Sequence, residues 1–281
     1  MGVEGIQAKH GIFIARHNDM ITKMIRIYGE WAEDSVELIK SLTTSGDTIL
    51  DVGANIGTFT IPLSKHVGKD GKIYAVEGQI ENFYHLCANL VINNLTDVRA
   101  FNCLAGDKRA ESRVAYASNL TTQIKNNGSY NFCNIIDTPF ELKSDSDRVV
   151  IETLDHILSH VDRLDLVKID VEGAELQVLN GMIYLINKHH PYIYCECASK
   201  KSYSEVIPKL HSLDYFCYWH PTYHYRPDNY AGSQNLTPGY GDLNLIAVHK
   251  SKTSSCHDVI NNLKLVESWE EVHTLFPDLI F

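Results

Sequence analysis

No run in the sequence approaches the ~18 consecutive apolar residues of a bilayer span, and Met1 to Lys9 has no apolar segment behind a basic start. A soluble, cytoplasmic chain with no membrane span is expected. Positive charge is scarce: 25 Lys and Arg stand against 35 Asp and Glu, a formal charge of -10. So few cations suit a phosphate backbone poorly, and nucleic acid is not an expected partner. There is no C-x-x-C pair. The seven cysteines, among them Cys195 and Cys197 on one face of a strand, lie mostly in apolar segments and read as reduced core thiols. The absence of G-x-x-x-x-G-K-[ST] excludes a triphosphate cradle, and the absence of G-x-G-x-x-G argues against NAD.

What is present is enough apolar residue, 44% of 281, for one substantial core with appendages. Buried-strand runs occur at 48–52, 72–76, 98–103, 165–171, 192–197, 215–219 and 243–249. Helical periods lie between them at 57–66, 79–93, 173–188 and 203–212. The alternation predicts an α/β fold, a doubly wound, mostly parallel seven-stranded sheet with helices on both faces. It occupies 46–250, with an insertion at about 104–148 and a lid-like loop at 219–242. A helical N-terminal extension is expected over 1–45 and a C-terminal extension over 251–281.

In "ILDVGANIG" a buried strand ends near Asp51 and a helix opens near Gly57. Gly53 and Gly57 clear side chains from the turn, and Asn55 between them tolerates positive φ. Such a turn lets the backbone approach a ligand at the strand's carboxyl end. The next strand, "KIYAVE", ends in Glu77, placed to accept hydrogen bonds from adjacent ribose hydroxyls.

"DVGANIGTF", "IYAVEG" and "LDLVKIDVEGAELQVLNG" together resemble the FkbM family of S-adenosylmethionine-dependent methyltransferases, within the class I, Rossmann-like group. The resemblance runs from Tyr28 to Glu196. It implies S-adenosyl-L-methionine as methyl donor, S-adenosyl-L-homocysteine as product, and a hydroxyl oxygen as acceptor. It implies that Asp51, Gly53, Asn55, Gly57 and the adjoining Thr58 surround the methionine part of the cofactor, with Glu77 on its ribose. Cys103 and Leu104 would flank the adenine, with Asp107 a weaker partner for its amine. A cationic amino group favours a carboxylate such as Asp51, and a carboxylate favours amides at a helix start. The chain departs from the pattern in Asn55, where the wider class often has glycine, and in "VEG", where family members commonly have "FEP".

A second acidic group lies in "VKIDVEGAE": Asp170 at a strand end, Glu172 next on the same side, and Glu175 on the following helix, where it also suits the helix dipole. Strand ends of an open α/β sheet border the ligand crevice. An alcohol must lose its proton to become a good nucleophile, and Asp170 and Glu172 are the first candidates for the base. Glu196 joins them from the neighbouring strand. Converging carboxylates offer an alternative, a divalent Mg²⁺ or Ca²⁺, which is not favoured. In the 219–242 loop His220 and His224 are alternative bases, Tyr223, Tyr225 and Tyr230 suit stacking on a sugar or ring, and Arg226 offers a fork for a carboxylate. The expected activity is O-methylation of a small molecule or glycan. The rivals are an NAD-dependent oxidoreductase and a non-catalytic nucleoside-binding or scaffold protein.

Overall fold

The computed structural model describes residues 2–17, 19–115 and 146–281. It opens with a hairpin of β1 (Val3–Ala8) and β2 (Gly11–Arg16), then α1 (Met20–Tyr28) and α2 (Glu33–Leu42). The alternating part begins with β3 (Thr48–Val52), α3 (Thr60–Val67), β4 (Lys72–Val76), α4 (Ile80–Ile92) and β5 (Arg99–Phe101). Next come β6 (Leu104–Ala105), β7 (Ala110–Ala115) and β8 (Ser146–Glu152), which form a separate sheet in the order β6-β8-β7. They stand where the insertion is expected; "NNGSYN" and "NFCNII", with Cys133, lie outside the described residues.

The alternation resumes with α5 (Leu154–Ile157), β9 (Leu166–Ile169), α6 (Glu175–Asn180), α7 (Ile183–His189), β10 (Tyr192–Glu196), α8 (Lys200–Ser212), β11 (Tyr215–Tyr223) and β12 (Gly241–His249). The chain then adds α9 (His257–Ile260), β13 (Lys264–Leu265) and α10 (Val272–Leu275). The main sheet runs β13-β11-β12-β10-β9-β3-β4-β5. The five strands from β10 to β5 are parallel, while β12 runs antiparallel to both β10 and β11. All seven expected strands are therefore present in a doubly wound α/β sheet, and the two-residue β13 adds an eighth at the edge.

Period-two alternation sorts the strands onto two faces. Leu50 and Val52 of β3, Val167 and Ile169 of β9, and Ile193 and Cys195 of β10 enter the core beneath α6, α7 and α8. Ile49, Leu166, Tyr192 and Tyr194 enter the opposite core with α2 and α3. Lys168 and Asp51 fall on this second face and are register partners across β9 and β3.

Three expectations are revised. The single helix expected over 173–188 is two, parted at Gly181 and Met182, where Gly181 packs so closely on Gly106 that an added Cβ would stand 1.9 Å from the Gly106 carbonyl oxygen. Asp155 then accepts hydrogen bonds from the amides of Tyr184 and Leu185 and so starts α7 afresh. The N-terminal extension is not purely helical. Among the described residues no strand pairs with the outer edge of its β2, which uses side-chain amides of α4 instead. Asn89 exchanges hydrogen bonds with the backbone of Ile14, and Asn93, one turn on, with that of Ile12. Lastly, residues 219–223 and 241–242 of the expected loop belong to β11 and β12, paired from Tyr215 opposite His249 to Tyr223 opposite Gly241. The connection between them docks on α1: Ser233 donates to Ile27 O, and the amide of Leu236 donates to the Tyr28 hydroxyl.

Candidate active site

The carboxyl ends of β3, β4, β9 and β10 and the amino end of β12 open onto one cavity of about 400 Å³. Its donor-side wall comes from the turn after β3. There the amides of Gly53 and Ala54 both donate to Val76 O, and Asn55 adopts a φ of 50°. Only glycine fits at 53, since a Cβ there would stand 1.8 Å from Asp170 O. Glu77 ends β4 in this wall. Its two carboxylate oxygens accept the amides of Asn55 at 2.8 Å and Gln79 at 2.7 Å. Burial nevertheless pushes its pKa up to about 7. A proline is absent after Glu77, and Asn102 secures this turn instead by donating to Glu77 O at 2.8 Å.

Of the residues assigned to the cofactor from sequence, Gly53, Asn55, Thr58, Glu77, Cys103 and Leu104 line the cavity. Asp51 and Gly57 do not. Gly57 lies against Leu86, and Asp51 is fully buried beneath the wall, where its carboxylate accepts the Thr60 hydroxyl at 2.6 Å and pairs with Lys168 at 3.2 Å. Asp107 is exposed and away from the lining. Lys168 is a residue that sequence reasoning missed, although the signal was there: a lysine in an otherwise buried strand needs a partner acid. Its ammonium donates to Gly53 O at 2.8 Å and also meets Asp170 at 3.5 Å. Burial opposes its charge, but Asp51 and Asp170 outweigh burial and leave its pKa raised.

On the acceptor side, Asp170, Glu172 and Glu196 line the cavity as expected, joined by Asp242 from β12. Glu172 holds a φ of 54°, left-handed backbone that a glutamate seldom adopts. Burial, reinforced by Asp170, Glu175 and Asp242, pushes Glu172 up to about 8. Burial and then Asp170 push Asp242 up to about 7, and burial with Asp170 and Glu172 raises Glu196 well above the usual carboxylate range. Glu175 turns back to accept the Gly173 amide and is outside the lining.

These raised carboxyls make stability depend on pH. Each binds its proton more tightly folded than unfolded, so stability is greatest below about pH 4.5 as far as these groups go, and falls as pH rises toward 8. Glu172→Gln removes one of them. The loss of urea resistance between about pH 6 and pH 8.5 is expected to be smaller in Glu172→Gln than in the parent; identical slopes would contradict the burial of this group.

His220 is not on the cavity wall. It sits in a buried network, its Nδ1 3.1 Å from the Tyr194 hydroxyl, which meets Ser35 Oγ at 2.6 Å. Burial lowers its pKa to about 4. His224 does line the cavity, its ring tilted on Trp31 with centroids 5.0 Å apart. Tyr223, Tyr225, Tyr230 and Arg226 are outside the lining: Arg226 is spent on Asp34, Glu37 and Asp228, and Tyr225 packs on Tyr28. Both chain extensions contribute walls unseen in the sequence, Trp31 and Ser35 from one and Ile280 and Phe281 from the other. Ile280 is held by backbone hydrogen bonds to Gly239 and Gly241. Among the described residues, no group of three or more His, Cys, Asp or Glu side chains is arranged to hold a metal ion, and no helix is long and apolar enough to cross a membrane.

The model of the methyltransferase FkbM domain matches residues 51–217. Methyltransferase 1 of Beauveria bassiana (strain ARSEF 2860) is 28% identical over 149 residues, 48% of this chain and 57% of that protein. Methyltransferase sdnD of Sordaria araneosa is 30% identical over 177 residues, 56% of this chain and 68% of that protein. This chain thus spans little more than half the length of the Beauveria relative. Among solved structures, a methyltransferase FkbM from Methylobacillus flagellatus KT is similar with a TM-score of 0.47 and 20% identity, over 73% of this chain and 44% of that one. The matched domain covers more than half of the chain and runs from the glycine turn through both acid-ended strands, so the chain belongs to the FkbM methyltransferase family.

Proposed function

We propose that the protein transfers a methyl group from S-adenosylmethionine to a hydroxyl of a small molecule or glycan. The observation that carries this reading is a single cavity with two chemically different halves. A glycine turn and the Glu77 carboxylate line one half, and strand-end acids line the other. The donor half fits the cofactor by its chemistry: Glu77 keeps lone pairs beyond those its two amides use, and Cys103 and Leu104 present small apolar faces for a planar base. When bound there, the cofactor supplies a methyl group on a cationic sulfonium.

The protein's own contribution is alignment, which can account for much of the acceleration of an in-line displacement. Gly53, Asn55 and Glu77 hold the donor, while Glu172, which burial pushes up to about 8, keeps a proton with which to orient the acceptor, and Glu196 stands beside it with its pKa raised by burial and by Asp170. A non-catalytic nucleoside-binding protein has no need of an open acceptor half, and here the cavity continues past the donor wall to Glu196, His224 and Asp242. Calorimetry with S-adenosylhomocysteine and with NAD tests the reading. Binding of the first and not the second is expected; the reverse would replace methyl transfer with hydride transfer.

A further inference from the structure

Four polar side chains at the acceptor end of the cavity stand in one row. Period two and strand register put them on the face shared by Lys168 and Tyr194, which are partners across β9 and β10. Glu196 lies two residues past Tyr194 and pairs with Asn244 of β12; Asp242 lies two residues before Asn244, and Asp170 two past Lys168. All four line the cavity, and the side chains of Asp170 and Asp242 are 40% and 35% exposed, so their carboxylates are open to a ligand. Asn244 is 7% exposed, and its Nδ2 donates to the Thr222 hydroxyl at 3.4 Å, itself tied to Ser35 Oγ at 2.6 Å. This fixes the amide with Oδ1 on its other side. Among the described residues Oδ1 has no hydrogen-bond partner, and unlike the His224 nitrogens it keeps accessible surface. A nearly buried carbonyl oxygen without a protein donor calls for one from a ligand.

We infer that this row recognises a protonated amine on the acceptor molecule, so that the methyl group goes to a hydroxyl of an amino alcohol or amino sugar. The inference rests on the O-methylation reading and names its substrate class. An ammonium brings three N–H donors and a positive charge to a row of carboxylate and carbonyl oxygens. The cavity holds no competing cation: Lys168 is the only Lys or Arg among the described lining residues, and its ammonium is spent on Gly53 O, Asp51 and Asp170. An anionic acceptor would meet like charge here, which costs affinity. A neutral polyol satisfies Asn244 but leaves the carboxyls crowded. Burial first and Asp170 second push Glu172 up to about 8 and Asp242 up to about 7, and a cation among them offsets that repulsion.

The test needs no identified acceptor. Two analogues of the cofactor have a CH group in place of the sulfonium, so the transfer centre is uncharged in both, and carry on that carbon either a 4-aminobutyl or a 4-hydroxybutyl arm. Along each arm the first carbon replaces the methyl group, the second replaces the acceptor oxygen, and the terminal group falls at the amine of a vicinal amino alcohol. Calorimetry at neutral pH compares both. The amino arm is expected to bind about fivefold to tenfold more tightly than the hydroxyl arm, the margin of a charge-assisted over a neutral hydrogen bond. Asp242→Asn and Glu196→Gln should each reduce that preference, and Asn244→Leu should weaken the amino probe about threefold or more. S-adenosylhomocysteine, which has no arm, reports on folding and on the donor wall in every variant. Equal affinity for the two arms in the parent protein, or a tighter hydroxyl arm, would overturn the inference whether or not the variants fold. So would a preference left unchanged by both charge variants. Failure of S-adenosylhomocysteine itself to bind the parent would instead remove the donor reading on which the inference rests.

Discussion

Lys168→Met is expected to lower the unfolding free energy by about 3–5 kcal/mol, the cost of leaving one partner of a buried ion pair alone. Asp51 has no exposure and Lys168 2%, so water can replace neither partner. The loss should be largely recovered in the double variant Asp51→Asn, Lys168→Met, because a neutral buried pair no longer carries the desolvation penalty and asparagine can still accept the Thr60 hydroxyl. Urea denaturation of the three proteins at one pH measures both effects. A Lys168→Met protein within about 1 kcal/mol of the parent would mean that the pair has no structural weight.

Glu77→Ala is expected to weaken S-adenosylhomocysteine by about tenfold to a hundredfold, as loss of charge-assisted hydrogen bonds to the ribose. The variant also strands the amides of Asn55 and Gln79, so a weaker complex alone would not separate a clamp from a damaged turn. The 2′-deoxy form of S-adenosylhomocysteine separates them. If Glu77 holds the ribose, removing the hydroxyl costs the parent protein affinity but costs Glu77→Ala little, and the two losses do not add. Additive losses would show that Glu77 shapes the turn without touching the sugar. Because burial holds the Glu77 pKa near 7, the clamp should also tighten as pH rises through neutrality and the carboxylate ionises.

Much of this architecture was legible in the sequence because strand and helix periods differ and the chain alternates them cleanly. "TILDV" and "DLVKIDV" are apolar enough to lie nowhere but inside a covered sheet, and parallel strands then gather their carboxyl ends at one edge. That rule alone brings the 53–57 turn, Glu77, Asp170 and Glu196 together, and the structure places Gly53, Asn55, Glu77, Asp170 and Glu196 on one cavity.

The sequence by itself determined the strands, the helices between them and which strand ends carry acids, since these follow from local period and composition. Only the tertiary structure decided which way each polar side chain turns once it arrives. Asp51 and Lys168 sit on the covered face because period two puts them there in register, so Asp51 supports the turn from below and does not line the cavity. His220 and His224 look alike in the sequence; the nine-pair register of β11 with β12 buries the first behind Tyr194 and delivers the second beside Asp242. The hairpin at the start rests on Asn89 and Asn93, and the rim on Ile280 and Phe281, contacts between segments far apart in the chain that no local pattern encodes.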